Sequence, residues 1–138
     1  MSGRDFLDTN ILVYALNDLV PGKHKVAQAL VIRAIAGEFS ISTQVLAEFT
    51  AVALTKFRDR LTSREVIALL DTLTPILLIE PDREIVRRAV EAHAQYGIHF
   101  YDGMIVASAE RAGAEKIFSE DLNAGQKYFG VTVVNPFA

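Results

Sequence analysis

Four acids, Asp8, Glu48, Asp102 and Asp121, carry the chemistry that this sequence suggests. Asp8 directly follows a short strand-like run, Arg4–Leu7. Asp121, with Glu120 before it, directly follows another, Lys116–Ser119. Glu48 falls in the second turn of the helix after a third strand, Glu38–Ser42, and Asp102 opens a further helix. In parallel α/β sheets the ligand site lies beyond the carboxyl ends of the strands, so Asp8, Glu48 and Asp121 belong at one sheet edge. Crowded carboxylates repel and raise one another's pKa, and a divalent cation relieves them. An all-oxygen donor set suits Mg²⁺ or Mn²⁺. Such an ion activates water and stabilises a phosphodiester transition state without a protein nucleophile.

Each acid also has a purely structural reading. Asp8, Asp102 and Asp121 suit helix N-caps, where a carboxylate accepts backbone N–H bonds and faces the positive end of the helix dipole. Glu48 suits a solvated helix face. Helical geometry weighs against the structural reading in two cases. Glu48 lies about 70° from the centre of the stripe Val45, Phe49, Val52 and so borders the buried side. Asp102 shares its face with Ile105, Val106 and Ala109, and a half-buried carboxylate is costly unless paired or metal-bound. His24, His93 and His99 lack metal-ligand spacing and read as structural or surface residues.

The elements that must position these acids alternate between strand and helix. Helices are expected over Asp8 to about Asn17, Lys23–Ala36 with Gly37 as its cap, and Thr43–Phe57. Thr62-Ser63-Arg64-Glu65 is a capping box that starts another helix. Ile76-Leu77-Leu78-Ile79, within the strand Pro75–Glu80, is an apolar run typical of a buried parallel strand. Asp82 caps a helix that ends at Gly97, and Asp102–Ala112 is closed by Gly113. Val131–Val134 is the last strand, with a helical turn near Leu122–Tyr128 before it. This alternation implies an α/β fold, a three-layer α/β/α sandwich around a central parallel sheet, in one domain over residues 1–138.

Composition limits the rest. Of 138 residues, 51% are hydrophobic and 22% charged, as in a folded globular domain. No cysteine is present, which excludes disulfides, thiolate zinc and a cysteine nucleophile. The polar start Met1-Ser2-Gly3-Arg4-Asp5 does not resemble a signal peptide and no apolar run spans a bilayer, so a cytoplasmic protein is expected. A net charge of −3 conflicts with nucleic-acid binding unless basic residues cluster locally. Lys56, Arg58, Arg60 and Arg64 form one such group and Lys23 and Lys25 another; both also read as ordinary solvated charges.

Four segments resemble, in order, the motifs of PIN-domain nucleases: Phe6-Leu7-Asp8-Thr9-Asn10-Ile11-Leu12-Val13-Tyr14, Ser42-Thr43-Gln44-Val45-Leu46-Ala47-Glu48-Phe49, Phe100-Tyr101-Asp102-Gly103-Met104-Ile105-Val106-Ala107-Ser108-Ala109 and Phe118-Ser119-Glu120-Asp121-Leu122. The ending Gly130–Phe137 is similar to that of one bacterial branch. The resemblance implies a five-stranded parallel sheet and a metal-dependent endoribonuclease, with Asp8, Glu48, Asp102 and Asp121 as its acids and Asn10 and Ser119 as supports. It further implies the toxin of a type II toxin–antitoxin pair of the VapC type, held inactive by a small cognate antitoxin and commonly a homodimer. Gly103 stands where relatives often carry alanine, and the role of Glu120 stays open.

Two other functions compete. A phosphoaspartyl phosphatase also places an aspartate after its first strand in a Mg²⁺ site, but it wants a second acid where Asn10 stands. A non-catalytic PIN-like assembly module would need none of the acids. Self-association is expected from the helix Thr43–Phe57, apolar on both its Val45/Phe49/Val52 and Ala47/Ala51/Leu54 faces.

Overall fold

The computed structural model describes residues 4–138; the polar start Met1-Ser2-Gly3 lies outside them. In chain order the elements are β1 (Asp5–Leu7), α1 (Thr9–Leu16), α2 (Pro21–Ile35), β2 (Phe39–Ser42), α3 (Thr43–Thr55), α4 (Ser63–Leu73), β3 (Leu77–Ile79), α5 (Arg83–Tyr96), α6 (Phe100–Arg111), β4 (Lys116–Phe118), β5 (Lys127–Tyr128) and β6 (Val131–Val134). The strands form one sheet in the order β3-β2-β1-β4-β6-β5. The first five of these run parallel, and β5 lies antiparallel on the edge beside β6. Helices α1 to α4 pack among themselves and α5 packs on α6, giving an α/β/α sandwich.

The order has a functional consequence. From β1 the chain steps outward through β2 to β3, then returns to the other side of β1 with β4. The switch point therefore lies between β1 and β4, where α/β sheets open a crevice at their carboxyl ends. Phe6 and Leu7 of β1 stand opposite Ile117 and Phe118 of β4, so Asp8 and Ser119 are the next pair in register. Phe6, Leu7, Ile41 and Ile117 are almost wholly buried, and their burial holds these central strands in place.

Four expectations need correction. Helix α2 starts at Pro21, not Lys23, because proline at the first helical position loses no hydrogen bond. The run Ile76–Ile79 is not wholly buried: Leu77 and Leu78 are 39% and 37% exposed, because β3 is an edge strand paired only with β2. The stretch Leu122–Tyr128 forms turns and the short strand β5 rather than a helical turn. A two-residue connection, Phe129-Gly130, joins β5 to β6 with both φ angles positive (49° and 82°), as a type I′ hairpin turn requires. The sheet is accordingly parallel with one antiparallel edge, not purely parallel.

Candidate active site

Asp8 is the innermost of the acids. It ends β1 and caps α1: its Oδ1 accepts the Thr9 N–H at 2.7 Å, and its own N–H continues the ladder to the Phe118 carbonyl at 3.0 Å. Its Oδ2 accepts the Ser119 hydroxyl at 2.8 Å. Only 6% of the residue is exposed. Burial is the largest influence on its carboxyl, which is pushed up to about 6; the Ser119 and Thr9 hydrogen bonds act downward, and the charges of Asp121 and Asp102 act upward. The capping role and the site role thus coexist in one side chain.

Ser119 and Asn10 organise the opposite wall. The Ser119 oxygen accepts the backbone N–H groups of Asp121 (3.1 Å) and Leu122 (3.3 Å) while its proton goes to Asp8. Asn10 donates through Nδ2 to Asp121 Oδ2 at 3.1 Å and accepts the Glu120 N–H through Oδ1 at 3.2 Å. The turn that carries Asp121 is therefore held from below by one hydroxyl and from the side by one amide. Asp121 itself is exposed to the crevice.

Asp102 does not open its helix. His99 is the N-cap of α6, its Nδ1 accepting the Tyr101 N–H at 3.2 Å, and Asp102 sits in the first turn. The imidazole supplies the cap that a carboxylate was expected to supply. Asp102 precedes a strand instead of following one. It still reaches the carboxyl edge because α6 runs back to the start of β4, about 18 Å for its 12 residues. Burial raises its carboxyl, His99 opposes the shift and Asp121 adds to it.

Glu48 is exposed, contrary to its expected place beside the buried stripe, because the side of α3 that it shares with Ala47 and Ala51 is left uncovered. Ser42, wholly buried, caps α3 by accepting the Val45 N–H at 3.2 Å. Glu48 Oε1 accepts from the Thr9 hydroxyl at 3.4 Å, which links it to the residue beside Asp8. Glu120 points elsewhere. It pairs with Lys23, which also reaches the Tyr14 hydroxyl at 3.4 Å, and Lys23 holds the Glu120 carboxyl below its usual range. Lys23 is thus committed to an acid, and Arg60 likewise pairs with Asp18 at 3.1 Å. Thr9, His99 and the Lys23–Glu120 pair had no separate signal in the sequence.

None of Asp8, Glu48, Asp102 or Asp121 has an ion-pair partner among the described residues. Among the same residues no three ligating side chains are drawn into a close chelating cluster. The donor chemistry fits a hard divalent ion that keeps several waters: the candidate ligands are all carboxylates, and Asp8 is buried without a cation.

Comparison with known proteins agrees with this fold. The PIN domain family profile matches residues 6–129, and the chain belongs to that family, whose members are generally nucleases. No curated protein matches significantly. Among solved structures, the fold is similar to a chain of a toxin–antitoxin complex from Klebsiella pneumoniae, with TM-score 0.69, 23% identity and coverage of 96% of this chain and 97% of that one. It is also similar to the FitAcB structure from Neisseria gonorrhoeae (TM-score 0.62, 20% identity, 96% and 97% covered). A third match is VapBC2 from Rickettsia felis bound to promoter DNA (TM-score 0.60, 20% identity, 93% and 95% covered).

Proposed function

We propose that this chain is a Mg²⁺- or Mn²⁺-dependent endoribonuclease, the toxin of a type II toxin–antitoxin pair acting in the cytoplasm. The observation that carries the reading is Asp8, buried without a cation at the β1/β4 switch point and repelled by Asp121 and Asp102. Asp8, Asp102 and Asp121 would hold the ion, with Glu48 on the rim. Bound there, it would polarise the scissile phosphate and lower the pKa of water. The protein's own part is orientation. Ser119 and Thr9 fix both oxygens of Asp8, and Asn10 fixes one oxygen of Asp121. Hydrolysis then adds water across the P–O bond, with the exposed side of the crevice open to the RNA.

The phosphatase alternative loses support, because both ends of the Asn10 amide are occupied in bracing the Glu120–Asp121 turn. The non-catalytic module gives no reason for a carboxylate buried without a cation at Asp8. An antitoxin is supported by an apolar groove of about 290 Å³ among α1 to α4, lined by Leu12, Leu16, Ile32, Phe49 and Leu69. An amphipathic helix fits such a groove, and a basic side chain from the same partner would neutralise the acids. A homodimer is supported by the α3 face of Ala47, Ala51 and Leu54, which the chain leaves exposed. Among the described residues no helix is long and apolar enough to cross a membrane.

The test is cleavage of single-stranded RNA with Mg²⁺, Mn²⁺ or chelator. Asp8→Asn and Asp102→Asn are expected to abolish cleavage and keep the fold, read by circular dichroism. Full metal-dependent activity in either variant would overturn the assignment. Growth arrest on expression of the chain alone, relieved by a small co-purifying neighbour, tests the toxin reading separately.

A further inference from the structure

Tyr101 stands apart from the other tyrosines. Tyr128 is buried, Tyr14 and Tyr96 are half-buried, and the rings of all three are packed against aromatic neighbours. Tyr101 is 59% exposed; it directly precedes Asp102, and its carbonyl meets Gln44, one turn before Glu48 on α3. Its backbone is held at both ends. The N–H donates to His99 Nδ1, and the carbonyl accepts from Gln44 Nε2 of α3 at 3.1 Å. One face of its ring stacks on His99, with centroids 5.7 Å apart and planes 24° apart, and Phe100 meets the ring edge-on at 5.2 Å. A large aromatic surface, next to Asp102 in the chain, is therefore anchored, backed on one side and open to solvent.

Such a surface costs free energy in water and loses little entropy when something stacks on it. Bases unstacked from a helix bind to aromatic faces, and each contact strengthens binding several-fold or more. The bases of an RNA duplex have both faces covered by their neighbours and cannot use the surface. We propose that Tyr101, backed by His99, is a stacking platform for one unpaired nucleobase of single-stranded RNA, placing an adjacent phosphate at Asp8, Asp102 and Asp121. This rests on the nuclease reading and adds to it a positioning residue, which would grip a base that has left its stack. Tyr101 is a positioning residue in this arrangement, and the acids carry the chemistry.

Binding is measured in the full-length Asp8→Asn chain with Mg²⁺, so that the probes stay intact. The probes are a labelled oligoadenylate, an abasic oligomer of equal length and a duplex of the same sequence. Adding Tyr101→Ala is expected to weaken oligoadenylate binding about ten-fold. Tyr101→Phe is expected to retain binding, and the abasic oligomer and duplex should bind all three proteins alike. In the cleaving protein, Tyr101→Ala should raise KM more than it lowers kcat. Unchanged oligoadenylate affinity in Tyr101→Ala, or an equal loss for the abasic oligomer, overturns the platform while wild-type cleavage leaves the nuclease reading standing. Weakened binding of a partner protein with RNA affinity intact assigns Tyr101 to a protein interface and also overturns it. A wild-type chain that neither binds nor cleaves RNA overturns both.

Discussion

The Ser119 hydroxyl donates to Asp8 Oδ2 at 2.8 Å and joins residues 111 positions apart at the ends of adjacent strands. The same oxygen accepts two backbone N–H groups from the turn that carries Asp121. Ser119→Ala removes all three bonds inside a buried site. It is expected to cost about 2–3 kcal/mol, since buried groups left unpaired lose their full solvation. Loss of the donor should also raise the Asp8 carboxyl further. Urea unfolding reads the first effect and the pH dependence of stability the second; an unchanged midpoint in Ser119→Ala would show that the hydroxyl braces nothing.

The metal-free protein should lose stability as pH rises from about 4 to about 6. Asp8 has its folded pKa at about 6 against an ordinary 3.8, so in this window the native state binds the proton that the unfolded chain has released. The difference amounts to at most about 3 kcal/mol above pH 6. The amide introduced by Asp8→Asn keeps an acceptor for the Thr9 N–H and gains a donor toward Ser119 without the charge. The variant's advantage over wild type should be absent near pH 4 and largest above pH 6, by chemical denaturation with chelator. A difference that is flat with pH would disprove the buried-charge account.

Divalent metal should reverse that penalty. A ligand bound by the native state alone stabilises by about 2.7 kcal/mol at a hundred-fold excess over Kd. Thermal melts near neutral pH are expected to shift upward with Mn²⁺ or Mg²⁺ in the wild type and to move much less in Asp8→Asn. Equal shifts in both proteins would place the ion elsewhere.

Gly103 is expected to resist substitution even though it lies inside a helix. Alanine would gain about 1 kcal/mol of helix propensity. A Cβ there would, however, stand 2.7 Å from the Ala89 carbonyl oxygen of α5, a backbone atom that cannot swing aside. Separating α5 from α6 should cost more than the gain, for a net loss of about 1–3 kcal/mol. Asp102 is the preceding residue, so Gly103→Ala should lower cleavage as well as the melting temperature. A stabilised Gly103→Ala would mean that the two helices can part freely.

Much of the site was legible in the sequence because its residues sit at local landmarks. Asp8 and Asp121 follow strands, and the capping box at Thr62 and Glu65 forms as its residues require. Other parts depended on distant contacts. The capping of α6 by His99 could not be read from a motif in which Asp102 is the obvious cap. The hairpin at Phe129-Gly130 needs a left-handed phenylalanine. That conformation is held by the Tyr96 hydroxyl, which accepts the Phe129 N–H at 2.8 Å, and by the Arg88 guanidinium, 3.5 Å from the ring centroid.

The sequence by itself determined the alternation of strands and helices and the chemistry available, since strand runs, caps and carboxylates are local properties. It also placed Asp8, Glu48 and Asp121 toward one sheet edge through the rule that loops after parallel strands share an edge. Only the tertiary structure decided that β3 lies on the outside, that Lys23 holds Glu120 away from the other acids, and that Asp102 arrives from a helix running back toward β4. These depend on strand order and on pairs of residues tens of positions apart. An apolar run reads the same at the centre of a sheet as at its margin, and a charge does not reveal its partner until the chain has folded.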